Sequence, residues 1–479
     1  MNPRRWWILG VLCLTLLVLS VDDMILNLAI PALMRDLGAS PADVQWILDA
    51  YILVFAGSLI TAGSLSDRYG RRRLLLIGLV ILGTASLLGA LSEEPWELVV
   101  CRALMGLGAA MAMPSTLSIL INVFEEGERR TAMAAWSVVG MVGVVAGPTL
   151  GGLLLQHFWW GSAFLINVPL AAVGLVATLA VVPESRGPAR PADPLGVVLS
   201  IAGMGALIWA IISLPHTGLS GPVAASLVVA VLALGGFVLW ESRSANPMLP
   251  LGMFRDRNFT GASLSVVLLS FATGALLLAL TQYLQFVLAY GPLRAGLALA
   301  PLAVTAIVFN FVGAKLGTKV SNRALLVVGL LVVALGFGVF ALVDGYPMVM
   351  AGLAVMGVGS GLGGPAAYAM LMGAIPPEHA GVGSAVSDTV QQAGLAIGIA
   401  GLGSALTAAY SASLPDAVPA GARVSIEATL RLGIPELAEA GRQAFVSAMS
   451  LVSVAGIVLS LAGAAFALVV LRATEVGRT

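Results

Sequence analysis

Four acids interrupt stretches of sequence that are otherwise apolar: Asp22 and Asp23 in VDDMILNLAIP, Asp49 in WILDAY and Asp388 in VSDTVQQAG. One arginine, Arg102 in RALMGLG, does the same. A carboxylate taken out of water is costly unless a proton, a cation or an arginine accompanies it. These are therefore the positions able to bind a proton or a charged solute. Arg102 in turn needs an acidic partner. Asp23 follows Asp22 by about 100° on a helix, which makes it either a second acid in the same cavity or a solvated acid at the outer interface. Asp49 has two readings as well: a counter-charge for a lipophilic cation that has shed its water, or an acid of the outer rim.

The elements that must position these residues follow from composition. Hydrophobic residues make up 59% of the 479, charged residues 10%, and the mean hydropathy is +1.00. A soluble domain with such a surface would aggregate, so the chain is an all-α polytopic membrane protein. Formal charge is zero, which leaves no basic face for nucleic acid. Cys13 and Cys101 lie in separate apolar runs and read as packing residues, with no disulfide and no metal site. His157, His216 and His379 are scattered near span ends or in loops, and GVGSGLGG (357–364) lacks the lysine and the strand-to-helix context of a nucleotide loop. No catalytic apparatus and no cofactor are expected; the chain reads as a transporter and not an enzyme, a monomer whose partners are a small lipophilic solute, protons and the lipid bilayer.

A window of about 20 apolar residues finds fourteen spans. Of the 24 lysines and arginines, eighteen fall in alternate loops and termini, five in the loops between, and Arg102 lies within span 4. That asymmetry places both termini in the cytoplasm. An internal repeat sets the organisation: shifted by 251 residues, Gly106, Gly108 and Pro114 fall on Gly357, Gly359 and Pro365, and Gly143, Gly147 and Gly152 on Gly394, Gly398 and Gly403. The expected domains are a six-helix bundle over 1–182, a linker with two extra spans over 183–257, and a second six-helix bundle over 258–479. The polar stretch 411–442 forms an outer loop with a short amphipathic helix. Pseudo-symmetric halves of this kind bind substrate near the bilayer midplane and rock about it.

Two segments carry a family resemblance. GSLSDRYGRRR, from Gly63 to Arg73, resembles the cytoplasmic loop signature of the major facilitator superfamily, G-x-L-x-D-R-x-G-R-R/K, matched at Gly63, Leu65, Asp67 with Arg68, Gly70 and the run Arg71, Arg72 and Arg73. GMVGVVAGPTLGG in span 5 resembles the antiporter signature at Gly143, Gly147, Pro148, Gly151 and Gly152. Physically it is a smooth ridge for close helix packing, with a proline that removes one helix hydrogen bond. VDDMILNLAIP is similar to the span 1 stretch of the 14-span drug/proton antiporters (EmrB/QacA-like). WILDAY resembles the QacA-type quaternary-ammonium exporters, whose acidic cluster on span 13 is reduced here to Asp388, with Gln392 at a position where a second acid stands in the pattern.

This resemblance implies a bacterial inner-membrane exporter trading protons for lipophilic, mainly cationic drugs by alternating access. Asp22 and Arg102 would serve proton coupling, Asp49, Asp388 and Asp23 the substrate charge. Asp67 with Arg71 and Arg72 would lock the two bundles on the cytoplasmic side. Two rivals stand beside it: an exporter of one endogenous metabolite, antibiotic or lipid, and a non-transporting sensor or scaffold on the same fold.

Overall fold

The computed structural model describes residues 4–471 apart from 188–192, 245–246, 248, 250, 374–379 and 424, and every regular element among them is helical. Fourteen long helices follow one another: α1 (Arg5–Asp36), α2 (Pro41–Tyr69), α3 (Arg71–Ala90), α4 (Pro95–Val123), α5 (Glu126–His157), α6 (Asn167–Val181), α7 (Pro194–Thr217), α8 (Gly221–Arg243), α9 (Arg257–Gln282), α10 (Ala300–Leu316), α11 (Asn322–Ala341), α12 (Gly345–Gly373), α13 (Ala380–Ser413) and α14 (Pro435–Val470). Twelve helical segments are, over their described residues, long and apolar enough to cross a membrane.

Local chemistry fixes several boundaries. At the start of α2, the Asp43 amide donates to Ser40 Oγ at 3.2 Å and the Ser40 amide to Asp43 Oδ2 at 2.9 Å, a reciprocal cap with Pro41 in the first turn. Gly70 ends α2 with φ +119°, a conformation that side chains rarely adopt. It turns the chain directly into α3.

By contacts the chain divides into two units. Unit 1 takes Met1–Thr260 and Tyr368–Val390, and unit 2 takes Gly261–Ala367 and Gln391–Thr479. Residues 368–390, which the sequence assigns to the second bundle, thus cluster with the first. The cause is close packing of α13 on α2: a methyl group added at Gly63 would lie 2.6 Å from the Gly381 carbonyl oxygen.

Within each unit the 251-residue repeat reaches the contacts themselves. A methyl at Gly108 would meet the Gly78 carbonyl at 2.8 Å and the Leu82 amide at 2.9 Å; one at Gly359 would meet the Gly329 carbonyl at 2.6 Å and the Val333 amide at 2.8 Å. Gly106 abuts the backbone of Tyr51 and Phe55, and Gly357 that of Leu302 and Ala306. Every partner is displaced by the same 251 residues, so α2, α3 and α4 repeat as α10, α11 and α12. These approaches let backbones pack where a side chain would hold them apart.

The two inserted helices are fixed to unit 1. Met204 and Ile208 of α7 pack on Ala56 of α2, and Thr61 Oγ1 and Ser200 Oγ lie 3.1 Å apart with both residues buried. The outer face of α8, with Val228, Val231, Leu232 and Leu239, is left exposed, as a lipid-facing helix requires. In unit 2 the 411–442 stretch folds onto the apolar core through Leu414, Val418, Ala422 and Ile426. It holds the short helix Ile426–Leu430, tied down by Tyr410 Oη donating to Thr429 Oγ1 at 2.7 Å.

Candidate functional site

Five helices of unit 1 converge on one buried ionic cluster. Asp22 of α1 accepts from Arg102 Nη1 of α4 at 2.8 Å through Oδ2, and from Asn167 Nδ2 of α6 at 2.6 Å through Oδ1. Arg102 also donates through Nε to the Ile47 carbonyl of α2 at 3.3 Å, and its guanidinium lies 4.2 Å from the centre of the Tyr51 ring. Asn167 Nδ2 has Ser86 Oγ of α3 at 3.4 Å. Asp22 is 1% exposed and Arg102 2%. Burying two ions this completely costs several kcal/mol each, repaid only by close geometry and further hydrogen bonds; here the arginine gains a carbonyl and an aromatic face, the acid an amide. Met105, where the family pattern has Gln, is fully buried and brings no polar group.

The other acids lie elsewhere. The side chain of Asp23 is outside the described residues, as is that of Pro148. Asp49 is half-buried on α2, in helical phase with Ile52, Leu53 and Ala56, the stripe that packs on α7. That stripe points roughly opposite to Tyr51. The structure therefore joins Asp22 to Arg102 and leaves Asp49 on another face. Asp388 of α13 is 1% exposed, and neither carboxyl oxygen has a hydrogen-bond partner among the described residues. In α5, Gly143 abuts Ser20 of α1, whereas a methyl at Gly152 would meet nothing within 4 Å; Gly147 and Gly151 are buried.

A second polar cluster lies at the α2–α3 turn. Asp67 accepts from Arg71 Nε at 3.0 Å and Nη2 at 2.7 Å, from the Gly381 amide at 3.0 Å and from the Val382 amide at 3.0 Å. One buried carboxylate thus binds an arginine and caps the first turn of α13, where helix amides have no internal acceptor. The Gly187 amide donates to the Asp67 carbonyl at 2.7 Å. Glu184 Oε1 accepts from the Arg72 amide at 3.2 Å, and Arg72 Nη2 donates to the Leu179 carbonyl at 2.7 Å. Arg68 lies over the Tyr69 ring at 4.8 Å. A methyl at Gly70 would collide with the Glu184 carboxylate at 2.7 Å.

Asn167 and Glu184 are absent from the sequence reading. Asn167 had a signal, a lone amide inside the apolar run AFLINVPLAAV; Glu184 had one too, an acid in the loop that shares its membrane side with the arginine run.

Comparison with known proteins gives the same direction. The family model for the Major Facilitator Superfamily matches residues 12–399. The multidrug efflux pump LfrA of Mycolicibacterium smegmatis is 37% identical over 426 residues, 88% of this chain and 84% of that protein. The methyl viologen resistance protein SmvA of Salmonella typhimurium is 34% identical over 434 residues, 87% and 85%. The tetracenomycin C resistance and export protein of Streptomyces glaucescens is 34% identical over 422 residues, 87% and 78%. Among solved structures, the human organic anion transporter MFSD10 matches with a TM-score of 0.65 over 96% of this chain and all of that one, at 15% identity, a likeness of fold alone.

Proposed function

The chain belongs to the major facilitator superfamily, and from that premise we propose that it exports lipophilic, mainly cationic drugs across the bacterial cytoplasmic membrane in exchange for protons. It is a multi-pass membrane transporter related to drug efflux proteins, not an enzyme. The observation that carries the proposed coupling is the Asp22–Arg102–Asn167 cluster: a buried acid held by an arginine from another helix. A proton arriving on Asp22 competes with Arg102 for the same oxygen. Protonation therefore weakens the α1–α4 tie, and deprotonation restores it, giving two arrangements of the unit that a proton can bias.

Cation preference rests on the remaining acids. Asp388 is buried and Asp49 half-buried, so each can offer a desolvated cation a counter-charge that water screens only in part; Asp23 is assigned the same role from the sequence alone. The Asp67 cluster acts as a latch between α2 and the first turn of α13 that is made in one state and broken in the other, on the cytoplasmic side with both termini. Purified protein in liposomes with an imposed pH gradient and a fluorescent lipophilic cation tests the whole reading. Wild type should move the dye against the proton flow, and Asp22→Asn should bind dye without gradient-driven transport. Gradient-independent dye movement, or none in a folded wild type, would reject drug/proton antiport.

A further inference from the structure

Asp388 does not stand alone. Ser384 and Ser387, four residues and one residue before the acid along α13, are fully buried, and like both Asp388 oxygens their hydroxyls have no hydrogen-bond partner among the described residues. Residues spaced i, i+3 and i+4 form one patch of a helix face. Four oxygens on one turn, with a single negative charge, suit one small cation that strips its water: their hardness and the lone carboxylate match a monovalent ion and fall short of a divalent one, which draws two or more carboxylates.

The same helix turns make the patch mechanically connected. Gly381 and Val382, whose amides Asp67 holds, lie on α13 two turns before Asp388, about 10 Å along the axis. Gly381 and Asp388 share nearly one angular position, on the face where Gly63 of α2 admits Ala385. Other charges around the patch are few: α13 carries no further acid or base from Ala380 to Ser413, α2 contributes Asp67, already engaged by Arg71, and Arg68, which lies over Tyr69. α9, which meets α13 from Gly394 onward, has no ionisable residue from Asn258 to Gln282, and α12 has only Tyr346 and Tyr368. Among the described residues, no hydrogen-bond partner offsets the desolvation of a bare carboxylate at Asp388.

We propose that Ser384, Ser387 and Asp388 form a site for one monovalent cation, a proton or a sodium ion, and that filling this site is required for the first turn of α13 to stay docked on Asp67. The proposal rests on the antiport reading, as it names a second coupling position beside Asp22, and it gives that position a mechanical output. The occupant binds the docked helix and not the undocked one, so by linkage it stabilises docking. Emptying the site releases the amides of Gly381 and Val382 and leaves Asp67 to Arg71.

Hydrogen–deuterium exchange of the full-length protein in nanodiscs reads the latch directly, through the peptide containing 381–389 and corrected for intrinsic exchange. In sodium-free choline buffer, protection should fall with rising pH by up to about tenfold per unit, the slope of one proton, with a peptide of the unit 2 core (445–452) unchanged. Asp388→Asn, permanently neutral, should stay protected at every pH, whereas Asp22→Asn should keep the wild-type dependence. If sodium restores protection at high pH, the ion is sodium; if it does not, the ion is a proton. Ser384→Ala with Ser387→Ala, a variant that keeps the acid, should shift the midpoint and serves if Asp388→Asn does not fold. Protection in the wild type that ignores both pH and sodium, or a pH dependence kept intact in Asp388→Asn, overturns the proposal. No substrate or transport enters this readout, so the latch and the antiport reading can fail separately.

Discussion

Unit 1 and unit 2 repeat the same glycine contacts 251 residues apart, yet they differ in charge at matching positions. Asp22 corresponds to Thr273, Asp49 to Ala300, Asp67 to Thr318, Arg71 to Asn322 and Arg102 to Leu353. Leu353 is fully buried in an apolar cluster with Phe340, Val349 and Met356. The same helix contacts are thus compatible with leucine where unit 1 has arginine, so packing alone does not call for the ion pair. Since a buried pair contributes little to stability relative to apolar residues of like volume, its presence in unit 1 points to a use other than holding the helices together.

The largest expected effect comes from erasing that difference. Asp22→Thr with Arg102→Leu gives unit 1 the residues of unit 2. The double variant should fold with near-normal thermal stability and lose gradient-driven efflux entirely. Arg102→Leu alone should be worse folded, by about 3–5 kcal/mol, because it strands a buried carboxylate, and thermal melting in detergent would register it. Efflux by the double variant at normal expression would make the cluster structural and break the comparison.

Much of this was readable in advance, for reasons that differ by level. Fourteen helices follow from apolar length, and the repeat from glycines whose partners are backbone atoms, since a backbone contact depends on spacing and little on the partner's side chain. Asp22 and Arg102 stood out because charge is rare in an apolar run. Their mutual contact could be guessed only as a need for a partner; Asn167, a lone neutral amide in an apolar run, gives a weaker contrast, because an amide is less costly to bury than a charge. The capping of α13 by Asp67 was beyond the sequence, as it is made to amides, which every residue except proline carries. The phase of Asp49 on the α7 side was computable, but only once α7 was known to pack on α2.

Next in size is the latch. In unit 2 the positions of Asp67 and Arg71 are held by Thr318 and Asn322, which can hydrogen-bond but cannot pair as ions. Asp67→Asn should weaken the hold on α13 by about 1.5–3 kcal/mol, the range for hydrogen bonds to charged groups, slowing maximal turnover while the range of exported compounds stays as it was. Initial rates over a panel of drugs measure both. A changed panel at an unchanged maximal rate would assign Asp67 to recognition.

The scaffold itself should respond alike in both units. Gly108→Ala and Gly359→Ala each force a methyl group against a facing carbonyl at under 3 Å, and each should lower stability by about 1–3 kcal/mol, the usual cost of overpacking. Melting curves of the two variants should move together. If only Gly359→Ala is tolerated, unit 2 is the looser scaffold, and its neutral residues cannot stand as evidence for what packing requires.

The smallest effect, and the sharpest separation of roles within unit 1, concerns Asp49. Its counterpart Ala300 has no charge, and its own place is a half-buried stripe of α2 facing α7, away from the Arg102 cluster. Partial solvation softens the field of such a carboxylate, so neutralising it should remove no more than about 1.4 kcal/mol of attraction for a lipophilic cation, a factor of ten in binding. Asp49→Asn should therefore reduce export of a quaternary ammonium dye by up to about tenfold and leave a neutral drug unaffected. The two substrates must be assayed on the same preparation, because the alternative role has its own signature: if Asp49 serves to fix the α2–α7 seam, both substrates lose equally and the melting temperature falls with them. Loss confined to the cation would mean that unit 1 holds two separate uses of charge, one buried and paired for the proton, the other at the seam for the solute.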